Sequence, residues 1–113
     1  MPCISIKTNK VILAIEEKQI KQRLGEAISI LPGKSEKWLM CLFEGNDHIW
    51  LGGTDAPAAY VETALYGAAS ATDYNRLTEK VTGILVDTLG IEPARIYIKY
   101  CETQYWGWNG KNL

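Results

Sequence analysis

A proline placed directly after the first methionine is the one point in this chain where a backbone nitrogen would serve as a base. Proline alone carries a secondary α-amine, and Pro2 would show it only once Met1 is removed. An apolar pocket and nearby cations both disfavour an ammonium, so both draw such an amine toward neutrality. A base of that kind takes a proton from the carbon beside a carbonyl and returns it elsewhere on the same molecule. By residue type alone Pro2 also reads as the first residue of a strand, where a missing N–H is harmless. Lys34 follows Gly33 where an amphipathic segment stops. A cation there either offsets the negative end of a helix or holds an anionic group. Tyr97 and Lys99 stand two apart in an alternating run and therefore share one strand face, opposite Ile96, Ile98 and Tyr100.

Other chemistries are poorly supplied. Cys3, Cys41 and Cys101 are far apart, form no CxxC pair and make no metal quartet with the single His48, so zinc and redox roles are set aside and no cofactor is expected. His48 sits beside Asp47 in a connector and reads as a solvated turn residue. The 113 residues carry a formal net charge of -1, without the basic stripe that nucleic-acid binding rests on. The longest apolar stretches, such as Trp38 to Phe43, are strand-length and far from the ~20 residues of a membrane span. No charged segment followed by an apolar run opens the chain, which points to the cytoplasm; leaderless secretion is not readable from a sequence.

The elements that would position these residues come in two similar halves within one domain, residues 1–113. Residues 2–7 alternate as a half-buried strand. Ile20, Leu24, Ala27, Ile28 and Leu31 then mark an amphipathic helix over about 15–31, stopped at Pro32-Gly33. Residues 37–43 predict the next strand, apolar enough to be central. A short extended piece, 48–51, leads to the Gly52-Gly53 turn. Residues 58–66 predict a strand; Leu77, Val81, Ile84, Leu85 and Thr88 a helix from near Thr72-Asp73 to Gly90; and 95–100 a last strand. An aromatic pair, Trp106 and Trp108, lies between turn residues at the tail. Two β-α-β units give parallel pairs with both helices on one side of a sheet. The other side is left bare, and a small domain covers such a face by assembling or by binding.

Five anchors in register carry a resemblance. Met1-Pro2-Cys3-Ile4 opening a strand, Gly33-Lys34, Gly52-Gly53-Thr54, Arg95-Ile96-Tyr97-Ile98 and Gly107-Trp108-Asn109-Gly110 stand in the order and spacing of the macrophage migration inhibitory factor family, essentially from end to end. The resemblance implies an α+β fold, a four-stranded mixed sheet under two antiparallel helices. It implies a homotrimer with pockets between subunits, and tautomerase activity on small aromatic keto or enol acids such as phenylpyruvate.

Carried over residue by residue, the resemblance makes Pro2 the catalytic base and Lys34 the group that holds the substrate's carboxylate or carbonyl oxygen. Tyr97 matches a pocket tyrosine of the family. Lys99 stands where the best-known members carry asparagine, and Tyr66 where they carry isoleucine, which bears on substrate choice. Trp108 and Leu113 match positions near the pocket rim, the latter aromatic in familiar members. The thiol–disulfide motif of some members reads Ala58 and Val61 here, so that route is closed. Two other readings remain at this stage. One is a cytokine-like or cytokine-mimicking ligand with a receptor protein as partner. The other is a ferredoxin-like module presenting its open sheet to RNA.

Overall fold

Residues Pro2–Thr8 form the first strand, β1, and their alternation sorts them by face: Ile4, Ile6 and Thr8 are buried while Lys7 is exposed. The computed structural model describes residues 1–113. After β1 come helix α1 (Ala14–Ala27), β2 (Met40–Glu44), β3 (Ala59–Tyr66), helix α2 (Ala71–Leu89), β4 (Ile96–Thr103) and a tail hairpin of β5 (Gly107–Trp108) and β6 (Lys111–Asn112). The main sheet runs β2-β1-β3-β4. Within each half the strands are parallel, β1 with β2 and β3 with β4, and the halves join through the antiparallel pair β1 and β3. This is the four-stranded mixed sheet with two helices that the family resemblance implies, with the parallel pairs that the two β-α-β units suggest.

The core lies between the sheet and the helices. Ile4 and Ile6 of β1 and Val61 and Leu65 of β3 meet Ile20, Leu24 and Ile28 from the first half and Leu77, Val81, Ile84 and Leu85 from α2. Each large aliphatic residue buried in this way contributes about 1.5–3 kcal/mol. α2 starts at Ser70, whose hydroxyl accepts the Asp73 N–H, and ends at Gly90 in the left-handed conformation, φ 67°. That cap places the helix start two residues ahead of the Thr72-Asp73 expectation.

Two expectations are corrected. The first helix does not run to residue 31 as regular α-helix: it stops at Ala27 and tightens into a 3-10 turn over Ile28–Ile30, which still keeps Ile28 and Leu31 buried. The segment 37–43 is not a central strand. Glu36–Trp38 form a 3-10 turn, and β2 begins only at Met40, on the sheet edge with β1 as its one neighbour. Its apolar run was misleading because Met40 and Leu42 face the bare side, where they are 58% and 48% exposed.

Arg95 holds the connector between the halves. Its guanidinium donates to the carbonyls of Leu51, Thr54, Ala56 and Pro57 at 3.0–3.1 Å. The Asn9 side chain donates to the carbonyls of Asp55 and Ala56 and accepts the Ala58 N–H. No helix is long and apolar enough to cross a membrane.

Candidate functional site

Pro2 begins β1 opposite Leu65 of β3, buried on the helix side of the sheet. The residue before it is held in place: the Tyr66 N–H donates to the Met1 carbonyl at 3.2 Å. Lys34 reaches the same point from the turn after the first helix. Its Nζ donates to the Tyr66 carbonyl at 2.8 Å, so its partner is β3 and not the carbonyl end of α1. Burial first, and then the adjacent Lys34 ammonium, hold the Met1 amine below the usual range of an α-amine. Pro2, Lys34 and Tyr66 are therefore brought together at one end of the sheet.

The aromatic rim gathers at the same end. β2 runs parallel to β1 with Met40 level with Cys3, and Trp38 lies in the 3-10 turn that leads into β2 at this end. Trp108 packs edge-on against Trp38, ring centres 5.4 Å apart, and the Lys37 ammonium lies 5.1 Å from the Trp38 ring. The turn of the tail hairpin, Asn109-Gly110, has positive φ at both residues (52° and 85°), as a two-residue hairpin of this hand requires. Leu113 is tied back by its N–H to the Trp106 carbonyl at 2.9 Å. Trp38 was missed from the sequence because it was read as part of a strand. The usable signal was an aromatic residue four positions after Lys34.

Tyr97 and Lys99 are not brought to Pro2 within one chain. Both lie on the bare face, as their spacing predicted, and Tyr97 is 57% exposed. Lys99 pairs across the sheet with Glu62, which lies three residues before Leu65 on β3, roughly 10 Å along the strand from Pro2. Lys99 Nζ is 3.7 Å from Glu62 Oε1, and the same oxygen accepts the Tyr60 hydroxyl at 2.8 Å. Glu62 is thus a partner of Lys99 that sequence reading did not single out. The bare face is no basic stripe: Lys7 stands opposite Glu44 and Lys99 opposite Glu62. That balance disfavours the RNA reading.

Burial pushes the Cys41 thiol up to about 11, and Cys3 also lies above the usual thiol range. Neither is poised as a nucleophile. His48 lies away from this end of the sheet, beside a polar pocket.

Comparison with known proteins gives one answer at every level. The sequence profile described as "Macrophage migration inhibitory factor (MIF)" matches residues 1–113. A macrophage migration inhibitory factor homolog of Trichuris trichiura is 29% identical over 102 residues, 90% of this chain and 89% of that protein. Among solved structures, Leishmania major MIF2 superposes with a TM-score of 0.94 at 26% identity, covering 100% of this chain and 97% of the other. The homologue from Prochlorococcus marinus gives 0.87 at 28% identity, with 97% of each chain covered.

Proposed function

The chain belongs to the macrophage migration inhibitory factor family, and from that premise we propose that it is a keto–enol tautomerase whose base is the Pro2 amine, set free by removal of Met1. The observation that carries this reading is the pair of donors around Met1. The Tyr66 N–H holds the Met1 carbonyl, and the Lys34 ammonium, bonded to the Tyr66 carbonyl, is near enough to depress the Met1 amine. Loss of Met1 leaves both donors turned toward the space beside the Pro2 nitrogen.

The reaction follows from that arrangement. A keto acid enters with its carboxylate or carbonyl oxygen toward Lys34 and Tyr66 N–H. The neutral Pro2 amine removes the proton from the carbon next to the carbonyl. Negative charge builds on the carbonyl oxygen, where a cation and an N–H donor already point, and such fixed donors favour the charged intermediate. The protonated Pro2 then gives that proton to the oxygen, and the enol leaves. The same steps in reverse turn enol into ketone, with no co-reactant. Burial and Lys34 both hold the Met1 amine away from the ammonium, and the same two influences would act on a Pro2 amine freed at that point, favouring the free base. Trp38, Trp108 and Leu113 suit an aromatic side group, and Tyr66 narrows the entry.

In the same reading the working unit is a trimer. Met40 and Leu42 on β2 and Tyr97 on β4 are exposed apolar side chains on the bare face that a single copy does not cover. A neighbouring copy laid on that face would bring Tyr97 and Lys99 to the next pocket. The test joins three measurements on the purified protein: the mass of the N-terminal peptide, the rate of phenylpyruvate tautomerisation and the sedimentation mass. Expected are a chain that starts at Pro2, an active enzyme and a mass about three times the 12.6 kDa of one chain. A trimmed chain with no activity overturns the enzyme, and a particle of single-chain mass overturns the shared pocket.

A further inference from the structure

Pro2, Leu65 and Glu102 stand in one row across β1, β3 and β4, and Tyr66 stands level with Thr103 beside them. The chain leaves β3 at Tyr66 and enters α2 at Ala71, so residues 67–70 are the whole link between that strand and the helix. Whatever fixes this link also fixes the Tyr66 backbone, whose carbonyl accepts from Lys34 and whose N–H donates to the Met1 carbonyl.

The link is held from β4 and from α2. The Gly67 N–H donates to the Thr103 carbonyl at 3.0 Å, in a backbone conformation (φ 91°) that suits glycine. Two residues on, the Ala69 N–H donates to the Tyr74 hydroxyl at 3.2 Å, and that hydroxyl donates in turn to Glu102 Oε2 at 2.5 Å. The Tyr74 ring stacks on Tyr100, centres 4.3 Å apart, and the Tyr100 hydroxyl donates to the Tyr74 carbonyl at 3.1 Å. Burial, and then the bond to Glu102, push the Tyr74 phenol up to about 12, so it stays a donor near neutral pH.

The helix does not depend on this bond. Ser70 caps it, Gly90 ends it, and Leu77, Val81, Ile84 and Leu85 bury it. Glu102 takes part in none of the three ion pairs, Arg23–Asp87, Arg76–Asp73 and Lys99–Glu62. What the Tyr74 hydroxyl and Glu102 restrain is the Ala69 N–H, three residues past Tyr66. A donor that stabilises a developing oxyanion acts by being fixed before the charge appears, and a displacement of ~1 Å can cost up to about a hundredfold in rate. On the strength of the tautomerase reading, we propose that Tyr74 and Glu102 are positioning residues for that reaction. Together they fix the turn after Tyr66 and, through it, the aim of Lys34 and of the Tyr66 N–H beside Pro2.

The test compares Tyr74→Phe, which keeps the stacked ring, with Glu102→Ala and with Glu102→Gln, whose amide oxygen still accepts from Tyr74. Phenylpyruvate tautomerisation is measured for each, and the Tyr66 amide is followed by nitrogen–proton NMR. Tyr74→Phe and Glu102→Ala should each lower kcat about tenfold and move the Tyr66 signal. KM should change much less, because the Lys34 charge that binds the keto acid is still there. Glu102→Gln should match the parent in all three readings. Tyr74→Phe combined with Glu102→Ala should be no slower than either alone, since the two side chains hold one bond. A kcat within about twofold of the parent in Tyr74→Phe overturns the positioning role, as does a Tyr66 signal that stays put. Equal losses in Glu102→Ala and Glu102→Gln overturn it as well, because the bond to Tyr74 would then not matter. A parent without turnover overturns the tautomerase reading and the catalytic role with it, while the Tyr66 signal still reports separately whether the turn is held.

Discussion

Lys34 and Met1 meet through one residue: the Lys34 ammonium donates to the Tyr66 carbonyl, and the Tyr66 N–H donates to the carbonyl of Met1, whose amine burial and Lys34 hold below its usual range. A cation so placed depresses the pKa of any amine exposed at that point. Lys34→Gln removes it, so the amine pKa rises and the base is protonated over a wider range. The acid limb of the pH–rate profile should move to higher pH by about one unit. The Michaelis constant for a keto acid should rise about tenfold, and that for its ester much less. A profile that overlays the parent would separate Lys34 from the base.

Pro2→Ala should lower turnover by about two to four powers of ten, the worth of a general base. A primary amine remains in that variant, so a residual rate is expected. Adding one residue ahead of Pro2 buries the nitrogen in an amide and should be worse than the substitution. Steady-state rates of the three proteins, each with its N-terminus verified by mass, make the comparison. Full activity in the extended chain would remove Pro2 from the mechanism.

Lys99 and Glu62 should act in opposite directions. If a neighbouring copy brings Lys99 to the pocket, its charge reaches the amine only in part, because Glu62 Oε1 sits 3.7 Å from Nζ. Lys99→Asn should then move the acid limb up by about half a pH unit, and Glu62→Gln, which unmasks the cation, should move it down. The two substitutions together should resemble Lys99→Asn alone. Three superimposable profiles would place Lys99 outside the pocket.

Arg95→Ala leaves four carbonyls of the connector without their donor. Bonds to a charged group are worth more than neutral ones, but several of these are exposed to water, so the expected loss is about 2 kcal/mol. The urea midpoint should fall accordingly. Lys in place of Ala should recover little, since one ammonium does not span four carbonyls.

How far the sequence was legible depended on how local each feature is. The alternation of 2–7, the stripes of both helices and the parity of Tyr97 and Lys99 are set by neighbours in the chain, and each appears in the structure. Pro2 and Lys34 were singled out through the family resemblance, since a second-position proline and a Gly-Lys pair are common by type; their meeting at one end of the sheet is a matter of the fold. β2 was misplaced because an apolar run on both faces looks the same whether the second face meets a helix or lies bare. Trp38 and Glu62 escaped for a related reason. One owes its position to a short 3-10 turn masked by the apolar run that follows, the other to a cross-strand register that depends on residues distant in sequence.

The hydrogen bond from Tyr66 to the Met1 carbonyl has a practical corollary for anyone preparing the protein. In the proposed mechanism Met1 is a plug over the Pro2 nitrogen, and it contributes one backbone contact to a sheet already paired over seven residues between β1 and β3. Trimmed and untrimmed molecules should therefore look alike by circular dichroism, by melting and by size. Specific activity then becomes a census of finished ends, and two batches of equal purity can differ in rate by whatever fraction an aminopeptidase left undone.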